Sequence, residues 1–264
     1  MPRLEGTAMK ELVEEGRLRR ADILLSRTKR SLLGSLIRFG TDSYWNHTLM
    51  IYAIRSPRQG YETTFIIESG GSGIDIHNIA HYFEKPWKYD VAVKRLETDW
   101  FQDNEENGGL RYRRRVRGFA LREIDDKYDH RLILTIARRF LRQLVLALLF
   151  PWQRLKKDPN QRRVQVSRVI GLDINAYICS GFVQWAYYQA VGKILQEDGL
   201  DESRLQDVIF NPRLTGGVTE EKLLATTPAD LANSSGLSWK YVVKNGVVWD
   251  VAGSEEVDQI VGSR

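Results

Sequence analysis

Cys179 is the one cysteine of this 264-residue chain, and it lies in the segment Asn175-Ala-Tyr-Ile-Cys-Ser-Gly-Phe182. The apolar spacing that follows predicts a helix with Cys179 near its start. There, unpaired backbone N–H groups and the positive end of the helix dipole favour the thiolate, which is the nucleophilic form of cysteine. Free cysteine is also among the most buried residue types, so an inert core thiol is the alternative. Catalysis would therefore need a base from elsewhere in the chain.

A predicted β-hairpin supplies that base. Segments 46–54 and 61–68 have strand composition, and residues 56–60 between them contain the proline and glycine of a turn. If the turn is centred within 57–58, His47 and Glu68 lie directly opposite each other on one face, with Cβ atoms roughly 5 Å apart. The hairpin and the cysteine then provide the nucleophile, the base and the orienting group of a catalytic triad.

The sequence lacks the motifs of several other catalytic and binding sites. The four-residue spacing of His77 and His81 would put them on one face of a helix, but Asn78 stands where a metalloprotease needs glutamate. No Gly-x-Ser-x-Gly elbow is present. The glycine-rich run 69–73 lacks the lysine of a phosphate-binding loop and predicts a turn or the rim of a substrate site. A single cysteine excludes an internal disulfide and a zinc site built on several cysteines. We expect no cofactor and no metal.

At this length the chain can form one large domain or two small ones, and a flexible tail is predicted at 253–264. Thr227 and Pro228 have the types expected at the N-cap and first position of a short helix. Asn245-Gly246 predicts a tight hairpin turn. Further strands are predicted at 21–25, at 89–96 and on both sides of that turn, and further helices at 8–19, at 31–38 and from the cysteine to about Gly192.

Two basic segments raise the question of a surface partner. A hydrophobic and basic helical insertion spans about 131–165, and arginines interrupt its apolar run, so it does not predict a transmembrane helix. Residues 131–157 and the cluster Arg111–Arg117 fit either ordinary core and solvated helices or contact with an anionic membrane. The arginine cluster also fits phosphate binding. The net charge of +5 is mild. Nucleic-acid binding ranks last because no nucleic-acid-binding fold is recognisable.

The N-terminus has no apolar signal core, and the scarcity of cysteine suits a reducing compartment. The sequence therefore predicts a cytoplasmic protein, with peripheral attachment to a membrane as the variant that the basic segments suggest.

Four segments, in order, resemble the circularly permuted papain-like cysteine hydrolases of the NlpC superfamily, specifically the YiiX/YebB-like branch. They are Arg20-Ala-Asp-Ile-Leu-Leu25, Ser43-Tyr-Trp-Asn-His47-Thr48, Ile66-Ile-Glu68-Ser69 and Tyr177-Ile-Cys179-Ser180. Ala21 replaces the family's usual glycine, and Asn46 departs from its usual serine. The matches extend from about residue 20 to residue 245.

The resemblance implies a single permuted papain-like α+β domain over residues 1–252, with an antiparallel sheet packed against the helix that carries the cysteine. It implies hydrolysis of a peptide or peptidoglycan-like amide through an acyl-enzyme. Cys179 would attack, His47 would act as acid and base, and Glu68 would hold the imidazole. The backbone N–H of Cys179 is the predicted oxyanion donor, and Ser180 and Tyr177 are predicted to contact a small peptide-like or acylated substrate. The alternatives are a lipid acyl hydrolase or acyltransferase at a membrane surface, and a catalytically silent binding module.

Overall fold

The computed structural model describes residues 9–31, 34–35, 38, 43–70, 73–125, 174–214 and 217–262. These residues form an α+β structure around a seven-stranded, wholly antiparallel sheet, as the sequence predicts. The strands are β1 (Ile23–Thr28), β2 (His47–Ile54), β3 (Thr64–Gly70), β4 (Gly73–Asn78), β5 (Tyr89–Arg95), β6 (Ser238–Lys244) and β7 (Val247–Asp250). Their order across the sheet is β4-β3-β2-β1-β5-β6-β7.

The α-helices of the described residues lie on both sides of this sheet. They are α1 (Met9–Glu14), α2 (Ala80–Phe83), α3 (Asp99–Gln102), α4 (Gly109–Asp125), α5 (Ile174–Asp198), α6 (Arg204–Asp207), α7 (Glu220–Leu224), α8 (Pro228–Asn233) and α9 (Ser254–Gly262). None of these helices is long and apolar enough to cross a membrane.

Alternation along the strands separates two hydrophobic cores. Met50 and Ile67 point into the core that contains the buried faces of α4 and α5. Leu49 and Ile66 point into the other core, which α1 and α2 cover. Because successive side chains of a strand point to opposite faces, β2 and β3 contribute to both cores. The cysteine helix α5 thus packs across the central strands of the sheet.

Local turn and cap chemistry is as predicted at two places. Thr227 and Asp230 form a reciprocal capping box at the start of α8, with Pro228 at the first helical position. Asn245 and Gly246 both have positive φ, as a two-residue hairpin turn between β6 and β7 requires.

Elsewhere the structure differs from the predicted elements. Residues 73–78 form β4, a strand that the sequence analysis did not predict. Within the tail predicted to be flexible at 253–264, Ser254–Gly262 form α9, whose Val257 and Ile260 are buried in the core around α5. The cysteine helix continues past Gly192 to Asp198, where Gly199 ends it at φ 61.

The predicted insertion at 131–165, including the membrane-contact segment 131–157, lies outside the described residues. Half of the helix predicted at 31–38 lies outside them as well.

Candidate active site

Cys179 lies in the second turn of α5, because the helix begins at Ile174. The predicted position at the helix start is therefore wrong. In a regular α-helix the N–H of residue 179 bonds to the carbonyl of residue 175, so it is not free to serve as the predicted oxyanion donor. The helix dipole also acts mainly within the first turn. Activation of the thiol would therefore have to come from its side-chain neighbours.

His47 and Glu68 are in contact, although not through the predicted register. Glu68 is paired with Leu49, two residues from His47, and the β2–β3 register shifts between Ile51 and Ala53. A displacement of two residues keeps both side chains on the same face, whereas a displacement of one would have separated them. The long glutamate side chain spans the diagonal, and Nε2 of His47 lies 2.5 Å from Oε2 of Glu68.

His47 also forms a side-chain hydrogen bond with Cys179. Burial lowers the pKa of His47, but the charge of Cys179, the Cys179 hydrogen bond and the hydrogen bond and charge of Glu68 outweigh it and raise the pKa to about 10. Since Nε2 faces Glu68, Nδ1 is the ring nitrogen left for the thiol. The imidazole is therefore held between a sulfur and a carboxylate, and its protonated form is strongly favoured.

The contact with the cysteine is made near the end of the sheet. His47 is the first residue of β2 and lies beyond the last residue pair between β2 and β3. Its strand neighbour Leu49 belongs to the core opposite α5. At the strand end, the histidine can therefore contact Cys179 even though α5 packs on the other face.

Glu68 has two further partners that the sequence did not reveal. The hydroxyl of Tyr82, a buried residue of α2, donates to Oε2 at 2.6 Å, and Nε2 of His77 lies 3.3 Å from Oε1. Burial raises the pKa of Glu68, but these partners and above all His47 lower it overall. Burial and the Glu68 charge raise the pKa of Tyr82, which keeps its hydroxyl protonated as a donor. Glu68 is thereby held as a carboxylate with both oxygens engaged.

His77 and His81 do not share a helix face. His77 is on β4 and His81 is in α2, but their rings stack with centroids 5.6 Å apart. Across the described residues, no group of three or more His, Cys, Asp or Glu side chains is arranged to hold a metal ion.

The predicted substrate contacts are not on an open surface. Ser180 and Cys179 are both fully buried. The side chain of Tyr177 lies outside the described residues. Of the cysteine–histidine pair, His47 has the exposed surface, with 20% of its side chain accessible. Contact of Ser180 and Tyr177 with a substrate therefore stays a prediction.

The arginine cluster 111–117 is divided between the protein and its surface. Arg113 is buried and donates to the carbonyl oxygens of Phe101 and Asp103, and Arg117 donates to the carbonyl of Tyr52. Arg111 and Arg115 instead face carboxylates of α5. Two of the arginines expected at an anionic membrane are thus occupied inside the fold.

Gly181 allows the cysteine helix α5 to pack closely against α7. A Cβ atom at this position would lie 2.0 Å from the carbonyl oxygen of Leu224, which is backbone and cannot move aside as a flexible side chain can. We therefore expect Gly181→Ala to lower the free energy of unfolding by about 2 kcal/mol or more, as overpacking does. Urea denaturation measures this loss. Gly118→Ala, also in a helix but with open space at the added Cβ, is the matched control and should not destabilise the protein.

Comparison with known proteins adds no family. A scan against models of protein families gave no match, and neither did a search of curated proteins. Inference about function therefore depends on the geometry of the site.

Proposed function

We propose that this protein is a cysteine hydrolase that cleaves an amide bond through an acyl-enzyme on Cys179. The observation that carries the proposal is the position of His47, which is hydrogen-bonded to Cys179 on one side and to Glu68 on the other. A nucleophile, a base and a third group that orients the base form the general pattern of nucleophilic catalysis. A peptide or peptidoglycan-like amide is the proposed substrate.

The chemistry follows from the protonation states. The Cys179 thiolate attacks the carbonyl carbon, and the electron pair of the carbonyl moves to oxygen. When the tetrahedral intermediate collapses, the C–N bond breaks and the imidazolium of His47 gives its proton to the departing amine. The now neutral imidazole takes a proton from water, whose oxygen attacks the thioester. The carboxylic acid leaves, and the thiolate–imidazolium pair is restored. Glu68 keeps the ring oriented throughout.

A backbone feature supports the proposed permuted papain-like fold. Ala21 has φ 69, in the left-handed region where glycine is favoured. Glycine is the usual residue at this position in the NlpC-type group that the sequence resembles. The hydroxyl of Tyr187 on α5 donates to the carbonyl of Ala21. This strained residue therefore helps to join β1 to the cysteine helix.

A catalytically silent binding module is the second candidate, and the burial of Cys179 favours it. A thiol without exposed surface reacts only if the neighbouring residues move or if the substrate enters from the side of His47. The lipid-acyl variant was predicted from residues 131–157, outside the described residues, and it stays a prediction.

Acyl trapping separates the two candidates. After brief incubation with p-nitrophenyl acetate and acid quenching, intact-mass and peptide mass spectrometry should find one acetyl group on Cys179, and this adduct should decay as water attacks it. Cys179→Ala should show no adduct. His47→Gln should acylate and deacylate more slowly, by about a hundredfold or more, because general acid–base catalysis is lost.

His81→Gln is the matched control, since it makes the same change in an exposed histidine and should retain both steps. A wild-type protein that never acquires the adduct, or that turns it over no faster than His47→Gln, would identify the silent module.

A further inference from the structure

A cavity of about 460 Å³ opens on the surface beside α4 and α5, away from the proposed active site. Its lining residue Lys193 is fourteen residues after Cys179 on the same helix, which corresponds to about 21 Å along the helix axis. The cavity is therefore a separate site. Its volume is in the range of pockets that bind small molecules.

Helical spacing creates the cavity. Arg111, Arg115, Gly118 and Arg122 follow one another at intervals of four, three and four residues, so they share one face of α4. Gly118 has no side chain, and a Cβ atom placed there would meet no atom within 4 Å. The glycine thus leaves a depression between cationic side chains. The partly buried ring of Phe119 adds an apolar wall.

The lining is strongly cationic. Five of its side chains are positively charged, and one, Glu106, is a carboxylate; the cations are Arg111, Arg114, Arg115, Arg122 and Lys193. Glu106 lies 3.4 Å from Arg114, but both side chains are largely exposed, and exposed ion pairs contribute little.

Two carboxylates at the end of α5 hold part of this charge in place. Asp198 and Glu197 pair with Arg111, and Glu197 also pairs with Arg115. Counting these two carboxylates and Glu106, the cavity keeps an excess of two positive charges. Within the described part of the chain, Arg122 and Lys193 have no carboxylate at ion-pair distance. Both are exposed, so they can turn toward a ligand.

We propose that this cavity binds a phosphoryl group that carries about two negative charges, such as a phosphomonoester or a pyrophosphate. Guanidinium groups match phosphate oxygens in a fork geometry, and a dianion matches the excess charge of the cavity. Phe119 provides contact for a less polar part of the same ligand. Arg122 and Lys193 are the cations that bind it directly, and Arg111 and Arg115, held by their carboxylates, add to the field.

Calorimetric titration of the whole protein with inorganic pyrophosphate tests the proposal. Wild type should bind, and Arg122→Glu and Lys193→Glu should each weaken binding by about tenfold or more, because each removes a charge-assisted contact and adds a repulsive charge. Gly118→Leu should also weaken it by filling the depression without changing charge. Arg58→Glu makes the same charge change at an exposed arginine outside the cavity and should leave binding unchanged.

Two further experiments identify the source of the phosphoryl group and test whether its binding is independent of catalysis. Sedimentation with phosphatidylcholine vesicles, with and without phosphatidic acid, tests a lipid headgroup. Binding to the vesicles with phosphatidic acid that Arg122→Glu abolishes would make the lipid the source. Cys179→Ala should bind pyrophosphate as wild type does, whether or not the protein is a hydrolase. Absence of binding in both arms, or equal binding by wild type, Arg122→Glu and Lys193→Glu, would overturn the proposal.

Discussion

Replacing His47 with glutamine is expected to slow alkylation of Cys179 by iodoacetamide at pH 7 by at least about tenfold. A thiol without a charged neighbour is only about 3% ionised at that pH. In this protein His47 is hydrogen-bonded to Cys179 and its pKa is raised to about 10, so an imidazolium lies beside the sulfur at pH 7. The variant loses this positive charge, which would stabilise an attacking thiolate, so alkylation should slow.

The pH dependence of the alkylation rate tests whether the positive charge of His47 causes the difference between the two proteins. The ratio of the wild-type rate to the His47→Gln rate should be largest near neutral pH and should fall as the pH rises toward 10, where His47 loses its proton. His81→Gln should behave as wild type. Equal rates for wild type and His47→Gln across this range would remove His47 as the activating group and leave Cys179 as a buried structural thiol.

The contacts of His47 should also make the stability of the folded protein depend on pH. The pKa of His47 is raised from 6.5 to about 10 on folding, so between these values the folded protein holds a proton that the unfolded chain has released. The stabilisation from His47 is therefore fully present below pH 6.5 and is lost as the pH rises through 10. Urea unfolding of wild type and His47→Gln should accordingly differ most near pH 6.5 and converge toward pH 10.

The hairpin shows which part of the site local sequence can predict. Alternation along β2 and β3 fixes which face a side chain occupies, and this is why His47 and Glu68 were expected together. The pairing itself depends on the shift between Ile51 and Ala53 and on the 3₁₀ segment Pro57–Thr63, which replaces the short turn. Both features depend on packing that a turn motif does not encode, and the true register differs by two residues.

The additional partners of Glu68 depend on tertiary structure in the same way. Tyr82 lies on α2, a helix of one turn. His77 lies on β4, a strand whose side chains are exposed or half-buried. Such short elements have too few apolar residues to show a clear hydrophobic periodicity in the sequence. The alternation Ile74-Asp75-Ile76-His77 is the one sequence signal for β4, and it is too short to stand out. Helix α9 was missed for a related reason, since its burial depends on the sheet that receives Val257 and Ile260.

Loss of Asp22 is expected to have the largest effect on folding. Asp22 and Arg95 are buried and joined by two hydrogen bonds, from Nε to Oδ1 at 2.6 Å and from a terminal guanidinium nitrogen to Oδ2 at 2.7 Å. The backbone N–H of Arg19 also donates to Oδ2 at 2.7 Å. Breaking a buried pair leaves one charge without its partner, so Arg95→Met and Asp22→Asn should each lower the free energy of unfolding by about 3–5 kcal/mol.

The double variant distinguishes two quantities. One is the net contribution of the Asp22–Arg95 ion pair to the free energy of unfolding, and the other is the cost of burying one of these charges without its partner. Asp22→Asn combined with Arg95→Met removes both charges, so its free energy of unfolding should be higher than the sum of the two single losses predicts. Urea denaturation of the four proteins, with the slope m unchanged, measures the coupling. Strict additivity would mean that the two side chains act independently.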